Sequence, residues 1–331
     1  MSLTHEARLR TARQRAEAGA WREVAEVLMP CAASGALAGE DALLYAEALV
    51  RSGEQRSALT FLRESLAEGE GASAPRVRRR AANMTGVAAF ALGDLEQAEE
   101  ALNVALDLAT RDDDPRLLAQ ATNNLGAIAN LQGRYEDALW HYRLALPTLQ
   151  RIGQPQMLAE AYHNLAITYR DLGELEESDE HELRAIEHAT DGGVPRVAAM
   201  GRIGRAEVAL RRGDAALAET TARMAGDEFA RLGDPQNEAD ALRLVGASCT
   251  AQRHYGDAVA AFAHALEIAR ERGHALNEAE TLRDRTELHL AQGRVALALV
   301  DARNAIAIFD RLGATRERDA LRSRVSDREG G

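Results

Sequence analysis

Five of the seven prolines stand on one ladder: Pro75, Pro115, Pro155, Pro195 and Pro235, each 40 residues after the last. Gly153, Gly193, Gly233, Gly273 and Gly313 keep the same step. So do Gly53, Gly93, Gly133, Gly173, Gly213 and Gly293, with Arg253 in the one slot that lacks glycine. A fixed beat of this length decides a fold before local propensity does, because each period must be one structural unit stacked on the next. Each ladder has a mechanical meaning. Proline suits the first position of a helix, where its missing N–H has no partner to lose. Asp114 and Asp234 precede their prolines and can cap the free N–H groups behind them. Glycine suits the residue just past a helix end, where the chain turns left-handed. One glycine therefore closes each unit and another breaks it midway. The unit is helix, tight turn, helix.

The fourth unit shows the pattern in full, as DPRLLAQATNNLGAIANLQG followed by RYEDALWHYRLALPTLQRIG. Thr122, Leu125, Gly126 and Ala129 recur at helical spacing in its first half, and Tyr135, Ala138, Tyr142 and Ala145 in its second. Small residues at Gly126, Ala138 and Ala145 let helix axes approach, while Leu125, Tyr135 and Tyr142 fill the space beside them. Aromatic residues are only 4% of a chain that is 46% apolar, so the core is built mainly from Ala, Leu and Val. That composition suits close-packed helices better than a β sandwich.

These residues resemble the tetratricopeptide repeat. That family's marks are a Leu-Gly pair, a turn glycine, an aromatic two residues later, then Ala, a bulky residue and Ala. Here they read Leu125-Gly126, Gly133, Tyr135, Ala138, Tyr142 and Ala145. The resemblance covers nearly the whole chain. It implies an all-α fold, a right-handed solenoid of eight helix-turn-helix repeats over residues 5–313, with turns at Gly19, Gly53, Gly93, Gly133, Gly173, Gly213, Arg253 and Gly293. The first step between turns is 34 residues and the rest are 40, similar to the extended repeats of kinesin light chains and several bacterial regulators. Residues 314–328, with Ala320, Leu321 and Val325 as their apolar side, read as a polar capping helix. Three departures stand out. Ser178 and Glu182 occupy positions meant for Ala and a bulky residue, and Arg205 sits at a Leu position; looser packing is expected there. Pro147 lies inside a second helix, which it should end or kink.

Charge and composition exclude several functions. Net charge is -12, which argues against nucleic acid or an anionic membrane as the main partner. All 40 basic residues are arginine, so there is no lysine for a Schiff base, a general base or a phosphate loop. Cys31 and Cys249 suggest no disulfide framework or metal cluster. The polar opening MSLTHEARLRTARQ lacks the apolar run of a secretion signal, and no stretch approaches a membrane span. The chain is expected to be cytoplasmic, with no cofactor and no metal. HELRAIEH, His181 to His188, lacks the HExxH spacing and reads as a solvated acidic face. Asn83-Met84-Thr85 matches the glycosylation triplet but falls mid-helix. RVRRR, Arg76 to Arg80, is the only dense basic cluster; it reads as a solvated face or as a dock for an acidic partner.

No catalytic constellation appears, and an enzyme is not expected. What remains is the surface that the repeat creates. At about 100° per residue, the side of each first helix turned away from its partner carries Arg80, Met84 and Val87 in unit three. It carries Gln120, Asn124, Ala127 and Leu131 in unit four, and Asn164, Ile167 and Asp171 in unit five. Asn83, Asn123, Asn130, His163 and Arg170 lie beside them. The resemblance implies that this side lines a concave groove, where asparagines hold a peptide backbone by donating and accepting at once. Each asparagine could equally bond a neighbouring helix. The expected function is a scaffold or receptor that binds an extended peptide or partner segment, with a second copy of the chain among the candidates. The rival is a bacterial regulatory sensor that responds to a peptide or small ligand.

Overall fold

A computed structural model describes residues 4–66, 75–312 and 314–326. Among them are seventeen helices and no strand, so the fold is all-α. The chain divides into two compact units, Met1–Gly153 and Gln154–Gly331. The first pairs α1 (His5–Glu17) with α2 (Trp21–Ala33), α3 (Gly39–Arg51) with α4 (Gln55–Leu66), α5 (Pro75–Ala91) with α6 (Leu95–Arg111), and α7 (Pro115–Leu131) with α8 (Tyr135–Ile152). The second pairs α9 (Pro155–Leu172) with α10 (Leu175–Asp191), α11 (Pro195–Arg212) with α12 (Ala215–Leu232), α13 (Pro235–Ala251) with α14 (Tyr255–Arg272), and α15 (Ala275–Ala291) with α16 (Val295–Leu312). A last helix, α17 (Thr315–Ser326), packs on α16.

The punctuation works as the ladders imply. Pro115, Pro155, Pro195 and Pro235 open their helices. The Asp114 carboxylate accepts from the Leu117 N–H, and Asp234 accepts from Asn237. Asp94 and Asp214 cap α6 and α12 in the same way. The break between the helices of a hairpin is left-handed each time, with φ between 72° at Gly19 and 87° at Gly173. Arg253 takes that conformation too, at φ 63°. Asp113, one period before Gly153, does the same at φ 49°. Position therefore dictates the backbone even where the side chain disfavours it. Gly313 and residues 327–328 of the capping segment lie outside the described residues.

Packing within hairpins follows a small-against-large rule. A Cβ added at Gly126 would stand 2.6 Å from Cε1 of Tyr142, and one at Gly246 would stand 2.7 Å from Phe262. Tyr142 and Phe262 are fully buried by the space those glycines leave. Ala138 and Ala145 are also buried, on the same helix as Tyr142. Enlarging Ala138 to leucine is expected to overpack the hairpin and cost about 1–3 kcal/mol. An unchanged thermal midpoint for Ala138→Leu would show that the site can yield.

Three expectations change. Pro147 does not end α8, which continues to Ile152. The proline is exposed, so water can serve the carbonyl that loses its helical N–H. Ser178 and Glu182 do not loosen their hairpin. Both are buried; the Ser178 hydroxyl donates to the Ala166 carbonyl at 2.9 Å, and Glu182 fills the place that Tyr142 and Phe262 take in their units. Gly204 on the next hairpin makes room, since a Cβ there would collide with the Glu182 carboxylate. Arg205 bonds Asp179 at 2.7 Å. On α17, Leu321 and Val325 are buried in a cluster with Leu266, Leu282, Ala302 and Phe309, but Ala320 faces solvent. The buried pair is spaced i, i+4, one stripe of a helix that touches its neighbour along a single line.

Candidate functional site

In the first unit, α3, α5 and α7 pack side by side, each with its hairpin partner behind it. Where their free faces meet there is a pocket of about 240 Å³. Val50 from α3, Met84 and Val87 from α5, and Leu117 from α7 make it apolar. Asn83 and Gln120 reach it with amides, and Glu47, Arg51 and Arg80 supply charge. Asn83 is only 7% exposed, and its Oδ1 has no hydrogen-bond partner. A buried amide oxygen left unpaired costs stability, so the arrangement is better suited to a state in which a donor enters.

A second cleft of about 290 Å³ adjoins this pocket and shares Glu47, Arg51, Arg80, Leu117 and Gln120 with it. It adds Arg76, Asp114 and Arg116. Most of these charges are spoken for. Arg80 meets Glu40 at 2.7 Å, Arg76 meets Glu40 at 3.4 Å, and Arg51 meets Glu47 at 2.9 Å. Arg79 bridges Asp112 and Asp114 at 2.8 and 2.9 Å. Burial alone would raise the Asp114 pKa; the Leu117 N–H and the Arg79 guanidinium overcome it and hold the carboxyl below its ordinary range. The RVRRR cluster is thus neither a free solvated face nor a bare basic patch, because three of its arginines are tied to carboxylates on α3 and in the turn between α6 and α7. Arg116 is exposed and forms no ion pair among the described residues.

Of the fifteen residues that the sequence places along a groove, Arg80, Asn83, Met84, Val87 and Gln120 come together at this pocket. Asn123, Asn124, Asn130 and Leu131 lie farther along α7: the first two half-buried, Asn130 buried, Leu131 63% exposed. Glu47, Val50, Arg51 and Leu117 line it too and are not among the fifteen. A signal for two of them exists, since one 40-residue step back from Val87 is Glu47, and the first helix of unit two then supplies Arg51 one turn on.

His163, Asn164, Ile167 and Arg170 belong to α9, in the second unit. His163 meets a carboxylate of its hairpin partner α10. It is buried, and its Nδ1 lies 2.9 and 3.1 Å from the two carboxylate oxygens of Glu182. Asn164 and Ile167 are half-buried. Arg170 is ion-paired with Glu207 and Asp171. The chain of charge continues to Arg243, which is 6% exposed and bonds Asp240 and Asp284 at 2.7 Å each. Burial would lower the Arg243 pKa, but the surrounding carboxylates of Asp240, Asp284, Glu280 and Glu207 hold it well above its ordinary value. The free faces of α9, α11, α13 and α15 are closed on themselves by arginine–carboxylate pairs.

The histidines of HELRAIEH are not a solvated acidic face. His181 stacks between Tyr162 and Tyr169, with centroids 5.8 and 5.2 Å away, and His188 stacks on Tyr162 at 5.4 Å. Among the described residues, no group of three or more His, Cys, Asp or Glu is placed to hold a metal ion. No helix among them is long and apolar enough to cross a membrane. Thr85 of the glycosylation triplet donates its hydroxyl to the Ala81 carbonyl inside α5.

Residues 117–191, hairpins four and five, match the family described as tetratricopeptide repeat. Those two hairpins carry the tetratricopeptide repeat. A tetratricopeptide fold also explains the glycine–aromatic contacts, which recur at one offset through both units. No curated protein matches in sequence. Solved structures match in fold. A Rap protein complexed with competence and sporulation factor is 13% identical with a TM-score of 0.66, over 97% of this chain and 96% of that one. The Rap conjugation gene regulator of plasmid pLS20, in complex with the Phr* peptide, is 16% identical with a TM-score of 0.67, over 84% and 75%. The apo form of the quorum sensor NprR from B. thuringiensis is 12% identical with a TM-score of 0.63, over 97% of each chain. At these identities the likeness is one of fold.

Proposed function

We propose that this chain is a peptide-binding scaffold of the regulatory kind, and that the pocket between α3, α5 and α7 is where the peptide sits. The observation that carries this reading is the Asn83 Oδ1, buried and unpartnered beside the apolar walls of Val50, Met84, Val87 and Leu117, on the side of the helices that faces away from their hairpin partners. An extended peptide offers a backbone N–H for that oxygen and a side chain for the apolar walls. Support also comes from fold: two of the similar structures hold a signalling factor or peptide, and a third is a quorum sensor. The proposed setting is the cytoplasm, in keeping with two free, buried cysteines, Cys31 and Cys249. No catalytic role is proposed.

The test is Asn83→Ala, with a peptide first selected from a random display library on the immobilised protein. The variant should bind that peptide more weakly by about 0.5–1.5 kcal/mol, roughly two- to twelvefold. Its unfolding midpoint should hold or rise, because an unpaired buried amide is removed and alanine is the better helix former. A loss of stability above ~2 kcal/mol with unchanged affinity would assign Asn83 a purely structural role.

A further inference from the structure

The pocket and its neighbouring cleft together specify more than "a peptide". The pocket as a whole holds about 240 Å³. That is below the ~300–1,000 Å³ of sites that enclose a whole small ligand, so it is sized for a single side chain of a longer one. Its walls, Val50, Met84, Val87 and Leu117, are aliphatic or thioether, and they present no aromatic ring. One aliphatic side chain fits this lining. The Asn83 Oδ1 at the same pocket requires a donor, which a backbone N–H beside that side chain supplies.

The adjoining cleft sets the charge. Arg51, Arg76, Arg80 and Arg116 line it with Glu47 and Asp114; Arg76 and Arg80 are tied to Glu40, Arg51 to Glu47, and Asp114 to Arg79. Every carboxylate already has an arginine. The charge left over is that of Arg116, exposed at the mouth of the cleft. In a chain with net charge -12, this is a locally positive spot next to an apolar one. A cationic ligand would find no unpaired carboxylate in the cleft's lining and would meet Arg116, whereas an anionic one would meet a guanidinium with no ion pair of its own.

Building on the peptide reading above, we propose that the α3/α5/α7 site selects an acidic peptide segment. One aliphatic side chain enters the pocket, its backbone N–H is received by Asn83, and an Asp or Glu carboxylate close by in the segment pairs with Arg116.

Three sets of fluorescein-labelled hexapeptides, otherwise Gly and Ser, test this by fluorescence anisotropy on the full chain. The first carries one Leu and one Asp, in both orders and at several spacings. The second replaces Asp with Lys, and the third replaces Leu with Ser. The first set should bind tightest and should weaken with added salt. Arg116→Glu, at an exposed residue without an ion pair to lose, should keep the fold by circular dichroism. It should also weaken the first set by about tenfold and improve the second. If the second set binds as well as the first, or if Arg116→Glu leaves the first unchanged, the acidic selection is wrong while a peptide site stands. If none of the three sets binds, the peptide reading of the pocket fails with it.

Discussion

Replacing Arg243 with leucine is expected to destabilise the second compact unit by about 3–5 kcal/mol, the usual scale for removing one member of a buried charge cluster. The guanidinium is 6% exposed and bonds Asp240 from its own helix and Asp284 from α15, with Glu207 of α11 at 3.5 Å. Its loss leaves the buried Asp284 with only Arg283, takes from Asp240 its arginine, and leaves Glu207 with Arg170 alone. The carboxylates, not the arginine, carry the penalty. Arg243→Leu combined with Asp240→Asn and Asp284→Asn should therefore recover much of the loss. Because stability in stacked repeats is a sum of units and neighbour interfaces, the effect should concentrate in α11, α13 and α15. Hydrogen exchange resolved by helix is the direct measurement. Equal loss of protection in α1–α4 would refute this local assignment.

The second large effect depends on pH. His163 and Glu182 are both buried and bond each other. Burial raises the Glu182 carboxyl above its ordinary value, and the His163 charge and hydrogen bond only partly offset this. For His163, burial pulls the imidazole pKa down, but the Glu182 charge and hydrogen bond outweigh it, and the net direction is up. The sign follows. Folded protein holds protons at both groups to higher pH than unfolded protein does, so stability falls as pH rises. The carboxyl's contribution begins to fade above about pH 4.5 and the imidazole's above about 6.5, the ordinary values that the unfolded chain keeps. The comparison is with the double variant His163→Leu, Glu182→Met, which removes both titrations and fills the site. The stability of the native chain minus that of the variant should drop steadily between pH 5 and 8.5. A difference flat across that range, or one that grows with pH, would contradict the assignment. The single variant His163→Leu strands Glu182 and should cost about 3–5 kcal/mol at pH 8, less at pH 5, where the carboxyl can take up a proton instead.

Fold and site were not equally visible in the sequence. Pro115, Gly133 and Gly153 mark where α7 begins, where it turns into α8 and where α8 ends, because helix starts and stops are local chemistry. The Gly126–Tyr142 contact was readable too, since one small and one large residue sixteen apart in a hairpin must meet. Pro147 does not end α8, because a freed carbonyl that faces water loses little, a condition the rule for prolines leaves out. His163 was misread because helical phase gives a direction, not a partner: the same phase puts Asn83 at a pocket and His163 against Glu182. Glu182 itself looked like a flaw in the repeat until Gly204, on another hairpin, showed why a carboxylate fits.

By itself, then, the sequence determined the all-α hairpin repeat, its turns and the faces that pack within each hairpin. These depend on backbone preferences and on residues close along the chain, which a 40-residue period repeats unchanged. Tertiary structure alone decided which free faces stay open. In α3, α5 and α7 the charges pair around a pocket and leave the Asn83 oxygen and Arg116 unused. In α11, α13 and α15 equivalent positions carry Glu207, Arg243 and Asp284, which close on one another. Whether a charge pairs, is buried or stays available depends on side chains brought in from helices one period apart. No single repeat contains that information.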